Sequence, residues 1–316
     1  MSRTINQLIF MGTPDFAVPS LRALLESGEN PAAVVCQPDR PRGRGRKLQA
    51  PPVKKLALKH NLPVLQPTKI KSEEFLETIR SLSPDLIVVA AYGRILPPEL
   101  LEIPRWGVIN AHGSLLPKYR GAAPIQRAII NGEQETGVTI MKVAEGLDTG
   151  DILLTESLPV SEDDTSATLA ARMAELGARL LVRTLNGLRN ETIIPVKQDE
   201  SRATLAPPLC KSEGYIDWYQ PAFQISCLIR GLDPWPKAHT TLGNKWFRLY
   251  QPRVIEAEAA EEPGTVVRID AEGLLVATGS DYLLAREVQL EGGKRMTPKA
   301  FIQGNTLEIG TKLGEK

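Results

Sequence analysis

The sequence predicts an α/β fold: a doubly wound, mostly parallel sheet followed by a smaller, strand-rich domain. Through roughly the first 190 residues, apolar runs of strand length alternate with segments of helical period, the pattern of a parallel sheet covered by helices. Within that stretch Asp85-Leu-Ile-Val-Val-Ala-Ala91 is almost continuously apolar, as a strand buried on both faces must be. Beyond it the helical period gives way to short alternating runs. A chain of 316 residues also exceeds what one hydrophobic core ordinarily supports, so two domains are expected.

Taken in order, Ile5 to Met11 is the first strand, ending at Gly12-Thr-Pro-Asp15, and a helix then runs to about Ser27. Ala32-Ala-Val-Val-Cys36 is the second strand. Helices are expected over 52–60 and over 72–81, where Phe75, Leu76 and Ile79 recur at helical spacing. After the apolar strand at 85–91, Gly107-Val-Ile-Asn110 is a further strand and 122–131 a helix. Thr136–Val143 and Ile152–Val160 read as strands, and 165–188 as a long helix. Residues 190–206 carry prolines and charges without periodicity and read as a linker, dividing a first domain at 1–189 from a second at 207–316. The second opens with an amphipathic helix near 221–231. Alternating runs starting at Gly264, Gly273 and Tyr282, separated by turn residues, then suit a small β-barrel.

Composition narrows the function classes. Hydrophobic residues make up 42% and charged residues 24% of the chain, the profile of a soluble globular protein. No apolar run approaches membrane-spanning length and Met1-Ser-Arg-Thr does not begin a signal peptide, so a cytoplasmic protein without a membrane partner is expected. Cys36, Cys210 and Cys227 form no CxxC pair and read as reduced, small apolar fillers. No metal is expected, because His60 and His239 lie far in sequence from His112 and no ligand pair has zinc-like spacing. Neither Gly-x-Gly-x-x-Gly nor Gly-x-Ser-x-Gly occurs, which argues against dinucleotide binding and against a serine nucleophile elbow.

The chemistry concentrates in Asn110-Ala-His112-Gly-Ser-Leu-Leu-Pro-Lys-Tyr-Arg-Gly121 and in Gly146-Leu-Asp148-Thr-Gly-Asp151. Residues two apart in a strand point to one face, roughly 6.5–7 Å apart, so Asn110 and His112 would flank a common space. That space lies at the carboxyl end of their strand, where open α/β sheets bind ligands. Asp148, in a turn built on Gly146 and Gly150, could reach the imidazole and fix its tautomer. An amide that donates to an oxyanion beside an imidazole that moves a proton suits acyl or formyl transfer better than nucleophilic hydrolysis. An isolated histidine is ordinarily a packing residue; the neighbouring amide and acid reverse that preference here.

Charge supplies a second feature. The net charge is only +1, but Arg40-Pro-Arg42-Gly-Arg44-Gly-Arg46-Lys47 places five positive charges in eight positions. The stretch 38–50 reads as a solvated connection, yet its glycines space Arg40, Arg42, Arg44, Arg46 and Lys47 so that several could reach successive phosphates. Trp218, Trp235 and Trp246 could stack on bases or pack in turns and core. From Pro207 onward 13 basic and 14 acidic residues nearly cancel, so the second domain offers no bulk attraction for RNA.

Over essentially its whole length the sequence resembles the methionyl-tRNA formyltransferase family. The resemblance rests on Met11-Gly-Thr-Pro-Asp-Phe16, Gln37 to Gly45, Ala91-Tyr-Gly-Arg-Ile-Leu-Pro97, Asn110 to Pro124, Gly146 to Asp151, Ile216-Asp-Trp218 and Asp233-Pro-Trp-Pro236. It implies a Rossmann-like first domain and an OB-like barrel that assists tRNA binding. It implies Asn110, His112 and Asp148 as catalytic residues, with 10-formyltetrahydrofolate as formyl donor beside Ser114, Leu115, Leu116 and Pro117. It also implies that the loop around Arg44 meets the acceptor stem of initiator methionyl-tRNA, and a monomer is expected. Asp233 and Lys237 stand where many members of the family carry Asn and a small residue, and Arg42 adds a charge where the basic loop often has a small residue. A formyltransferase acting on a small amine would share the trio but would leave the basic loop and the second domain unexplained. A non-catalytic RNA-binding protein would leave the trio unexplained, and a formyl-folate hydrolase would need water in place of RNA at the site.

Overall fold

The computed structural model describes residues 5–42 and 47–315, which form two compact units. The first begins with strand β1 (Leu8–Gly12), helix α1 (Val18–Glu26) and strand β2 (Ala33–Val35). Strands β3 (Arg40–Arg42) and β4 (Lys47–Gln49) pair antiparallel as a short ribbon. Helix α2 (Pro52–Lys59), β5 (Val64–Leu65), α3 (Glu73–Ser81), β6 (Leu86–Ala90), α4 (Pro98–Leu101) and β7 (Val108–His112) follow. Next in chain order come β8 (Arg120–Gly121), α5 (Pro124–Ile130), β9 (Glu135–Lys142), β10 (Ile152–Pro159), α6 (Ser166–Arg189) and β11 (Leu205–Ala206), of which most of α5 and the start of α6 fall in the second unit.

Seven strands form one sheet in the order β10-β9-β7-β6-β1-β2-β5. Pairings from β5 through β7 are parallel, while β9 runs antiparallel to β7, so the sheet is mostly parallel. All five residues of β1 and of β6 are buried, as their unbroken hydrophobicity requires. Ile9, Met11, Ile87 and Val89 share one face by strand alternation and join a core with Phe75, Leu76 and Ile79 from α3. Glu73 and Glu74 in the first turn of α3 complement its macrodipole.

The second unit comprises Ile125–Glu135, Pro159–Leu169 and Pro207–Lys316. Two segments expected in the first domain therefore belong to it, and polar side chains give the reason. The Arg127 guanidinium donates to the Glu213 carboxylate and to the carbonyls of Pro207 and Pro208. Arg230, buried in α7 (Ala222–Gly231), donates to the carbonyls of Ser161 and Asp164. The sheet of this unit is antiparallel, with strands β12 (His239–Leu242), β13 (Lys245–Ile255), β14 (Val266–Ile269), β15 (Leu274–Ala277) and β16 (Tyr282–Leu290) in the order β12-β13-β16-β15-β14. It is a curled half-barrel. Phe247, Leu249, Val276, Leu283 and Val288 line its core with Ile225 and Ile229 of α7 and Phe301 of α8 (Pro298–Phe301).

The strands expected from Gly264, Gly273 and Tyr282 are β14, β15 and β16, whereas β12 and the eleven-residue β13 carried no clear alternating signal. A barrel was expected from the alternation; among the described residues β12 and β14 do not pair with each other. The irregular segment 310–314 spans the gap instead, bonded to Val266 and Gly264 on one side and to Thr241 on the other. Trp218 is buried and donates its indole N–H to Thr240 Oγ1 at 3.1 Å, so it is a core residue and not a stacking platform. Trp235 and Trp246 remain 53% and 42% exposed. Cys36 and Cys227 are buried fillers, but Cys210 is exposed. Among the described residues no helix is long and apolar enough to cross a membrane.

Candidate active site

The site grows from the carboxyl end of β7. Its pairing with β6 ends at Ala90↔Ala111, so His112 projects one residue beyond the neighbouring strand. Asn110 and His112 lie two apart in β7 and share a face, with Asn110 partly accessible and His112 buried. No hydrogen bond ties down the Asn110 amide among the described residues, which leaves its N–H donors for a ligand.

His112 is held by the backbone. Its Nε2 lies 2.9 Å from the Tyr119 carbonyl oxygen, which can only accept, so Nε2 carries the proton of the neutral ring. Nδ1 then presents its lone pair and faces Asp148 Oδ2 at 3.6 Å, beyond hydrogen-bond length but within ion-pair range. By its place in the chain Asp148 is expected to fix the tautomer. The structure gives that task to the Tyr119 carbonyl, because the chain after β7 turns back and places Tyr119 in the left-handed region, φ +61°.

Asp148 sits in the connection between β9 and β10, also left-handed at φ +51°. Its Oδ2 accepts a 2.9 Å hydrogen bond from the Gly121 N–H. Gly121 has φ +123°, and a Cβ there would meet the Ala206 carbonyl oxygen at 2.8 Å, so only glycine fits where these two segments pair. At Gly150 a Cβ would run into the Lys142 carbonyl oxygen, which fixes how tightly this turn folds back on β9.

Residues 190–206, expected as a linker, belong to this architecture. β11 pairs parallel with β8. The Thr204 hydroxyl accepts from the Tyr119 N–H at 2.9 Å, and its carbonyl accepts from the Arg120 N–H at 2.8 Å. Arg120, with its side chain only 6% exposed, donates to both oxygens of Glu200 at 2.8 Å and to Gln198 Oε1. This pairing holds the Glu200 carboxyl below its ordinary range. Gln198, Glu200 and Thr204 were missed because a polar stretch without periodicity carries no local signal of what it touches.

Of the residues placed beside the donor, Leu115 and Pro117 are partly accessible, whereas Ser114 and Leu116 are buried. The Ser114 hydroxyl donates inward to the Lys118 carbonyl at 2.6 Å. The Thr139 hydroxyl, on the facing strand, donates to the Ser114 carbonyl at 2.7 Å and accepts from the Leu116 N–H at 3.2 Å. Ser114 and Leu116 therefore shape the turn whose outer surface Leu115 and Pro117 supply.

The basic stretch, read as a solvated connection, begins and ends as ribbon. Arg40 is exposed and donates to Gln37 Oε1, and the Gln37 amide donates to the Tyr92 carbonyl at 2.9 Å. Asp39 anchors the ribbon's base, accepting from Lys54 and Gln66, and these bonds hold its carboxyl low. Arg44 and Arg46 lie outside the described residues, and Arg42 and Lys47 are described by their backbone alone. Nearby Cys36 is no nucleophile, since burial pushes its thiol up to about 11.

An open, mostly parallel sheet carries an amide and an imidazole near the carboxyl end of β7, with a carboxylate from the β9–β10 connection facing the imidazole, an arrangement suited to group transfer. The chain matches the formyl transferase family over residues 6–185 and the formyl transferase C-terminal domain over residues 208–306, and it belongs to that family. It is 52% identical over 307 residues to a methionyl-tRNA formyltransferase of Desulfotalea psychrophila, covering 97% of this chain and 95% of the relative. A methionyl-tRNA formyltransferase of Geobacter sulfurreducens is 50% identical over 309 residues, covering 98% and 97%. Among solved structures, an N-formyltransferase from Helicobacter canadensis in complex with folinic acid and dTDP-3-aminofucose shares the fold, with a TM-score of 0.68 and 19% identity over 89% of this chain and 99% of that one.

Proposed function

We propose that this chain transfers the formyl group of 10-formyltetrahydrofolate to the α-amino group of initiator methionyl-tRNA. The observation that carries the reading is the 52% identity over 97% of the chain to a protein named methionyl-tRNA formyltransferase. Matches to both formyl transferase domains accompany it. A cytoplasmic location goes with a substrate drawn from translation.

In the reaction the amine nitrogen bonds to the formyl carbon, the bond from that carbon to the folate nitrogen breaks, and the proton lost by the amine ends on the departing folate nitrogen. A free α-amine titrates at about 7.7–8.0, so part of it is neutral and nucleophilic near neutral pH. Asn110, His112 and Asp148 are the catalytic residues of this reading. The Asn110 amide donates to the oxyanion of the tetrahedral intermediate, an interaction whose removal costs about 2.7–4 kcal/mol in comparable sites. With Nε2 committed to Tyr119, Nδ1 of His112 is the atom that takes and returns the proton. While the ring is charged, the Asp148 carboxylate 3.6 Å away stabilises it, more strongly in a dry site than in water.

Leu115 and Pro117 offer the surface for the folate, held from behind by Ser114 and Leu116. Arg40, Arg42, Arg44, Arg46 and Lys47 neutralise RNA phosphates. Incubation with formyl-labelled 10-formyltetrahydrofolate and each of three acceptors (initiator methionyl-tRNA, glycinamide ribonucleotide, an amino-sugar nucleotide) is expected to label the tRNA alone. Label appearing on a small amine, or released as formate without an acceptor, would overturn the assignment.

A further inference from the structure

We propose that Gln198 is a positioning residue of the formyl-transfer site, acting through Asp148; the inference rests on the catalytic role given to Asp148 above. Its amide Nε2 donates to the Asp148 carbonyl at 2.8 Å and to the Gly150 carbonyl at 2.7 Å. Its Oε1 accepts from Nε and Nη2 of Arg120, at 3.0 and 2.8 Å. All four bonds cross wide gaps in sequence, about 50 residues to the acid turn and 78 to Arg120.

These bonds close a circuit. Arg120 is the residue before Gly121, whose N–H holds the Asp148 carboxylate. One side chain thus ties the backbone of the acid turn to the segment that grips its carboxylate. The turn needs such a tie. Asp148 is held left-handed at φ +51°, a conformation that carries a backbone cost for a non-glycine residue, smaller for Asp than for most. A displaced carboxylate would leave the 3.6 Å approach to Nδ1 of His112, and that approach is what stabilises the charged ring.

An amide is required for the task. Two carbonyl oxygens must be met by an N–H pair, and two guanidinium N–H groups by an oxygen. Glutamate at this position would keep the Arg120 bonds but set its second oxygen against the carbonyls of Asp148 and Gly150. Methionine would keep the length and make neither set.

The test is a cycle of Gln198→Glu, Asp148→Asn and the double variant, with Gln198→Met as a second probe should the glutamate fail to fold. Circular dichroism and thermal unfolding check each fold, and steady-state formyl transfer is measured across pH. We expect Gln198→Glu to lower kcat roughly 10–100-fold, the scale on which misplacing a catalytic group acts, with KM for folate and for tRNA changed less than about threefold. The double variant should lose no more than Asp148→Asn alone, because Gln198 has nothing to act on once the carboxylate is gone. Multiplied losses in the double variant, or a loss carried by KM, would mean that Gln198 acts elsewhere and would overturn the proposal. Near-normal turnover in a folded Gln198 variant beside a large loss in Asp148→Asn would overturn it while leaving the catalytic trio standing. Near-normal turnover in Asp148→Asn would overturn both.

Discussion

The carboxyl end of the seven-stranded sheet and the basic ribbon at 40–49 are both polar, yet they are built in opposite ways. At the sheet end nearly every polar group is tied: His112 to Tyr119, Asp148 to Gly121, Arg120 to Glu200 and Gln198. The ribbon is fixed at its base by Asp39, while Arg40 stands exposed. Moving a proton and meeting an oxyanion depend on placement to within about half an ångström. Neutralising phosphates depends mainly on the number of charges within reach. The difference teaches that substitutions at the sheet end should act on turnover and substitutions in the ribbon on affinity.

The strongest test of that division is His112→Ala. Loss of the proton-transferring group is expected to lower kcat roughly 10²–10⁴-fold with the fold intact, measured by formyl transfer to methionyl-tRNA. Asn110→Ala should lower kcat by roughly 10²–10³ and leave RNA affinity unchanged. If either variant instead weakens RNA binding at constant turnover, the contrast between the two regions collapses.

Gly121→Ala probes the tertiary tie without touching a reacting group. The left-handed backbone and the approach to the Ala206 carbonyl predict destabilisation of about 1–3 kcal/mol in denaturant unfolding, together with reduced turnover as the Asp148 bond is disturbed. A ribbon substitution should do the reverse. Arg44→Ala is expected to raise KM for tRNA several-fold and to reduce the slope of log affinity against log salt by about 1, with KM for folate unmoved.

The smallest effect concerns acid. Arg120 holds the Glu200 carboxyl below its ordinary 4.5, so the folded value lies under the unfolded one. The stabilisation is then fully present above about 4.5 and is lost as pH falls through the lower folded value. Because Glu200 is 69% exposed, solvent screens the pair and the effect is modest. Unfolding midpoints of the parent and Glu200→Gln should differ slightly at neutral pH and converge in acid; a gap that persists in acid would point to packing and not to charge.

Much of the architecture was legible because it is written in local periodicity. The apolar run at 85–91 gave β6, the spacing of Phe75, Leu76 and Ile79 gave the buried face of α3, and the runs at 264–288 gave three strands of the second sheet. Periodicity failed at β12 and β13, where His239, Lys245, Arg248, Gln251 and Pro252 interrupt the alternation and the strand is sustained by its partner β16. It failed again at 190–206, whose order comes from bonds to the carboxyl end of the sheet and not from any face of its own.

The sequence by itself determined that Asn110 and His112 would look into one space, because strand alternation is a property of neighbouring residues. It also placed five positive charges together, since their spacing needs no fold. Only the tertiary structure decided that the Tyr119 carbonyl sets the imidazole tautomer and that Asp148 faces Nδ1. It likewise decided that Gln198 bonds the turn carrying Asp148 and Thr204 the backbone at Tyr119, and that 125–135 and 159–169 belong with the second unit. Such contacts join groups 7 to 85 residues apart through a few hydrogen bonds, which leave no repeat in the chain from which to read them.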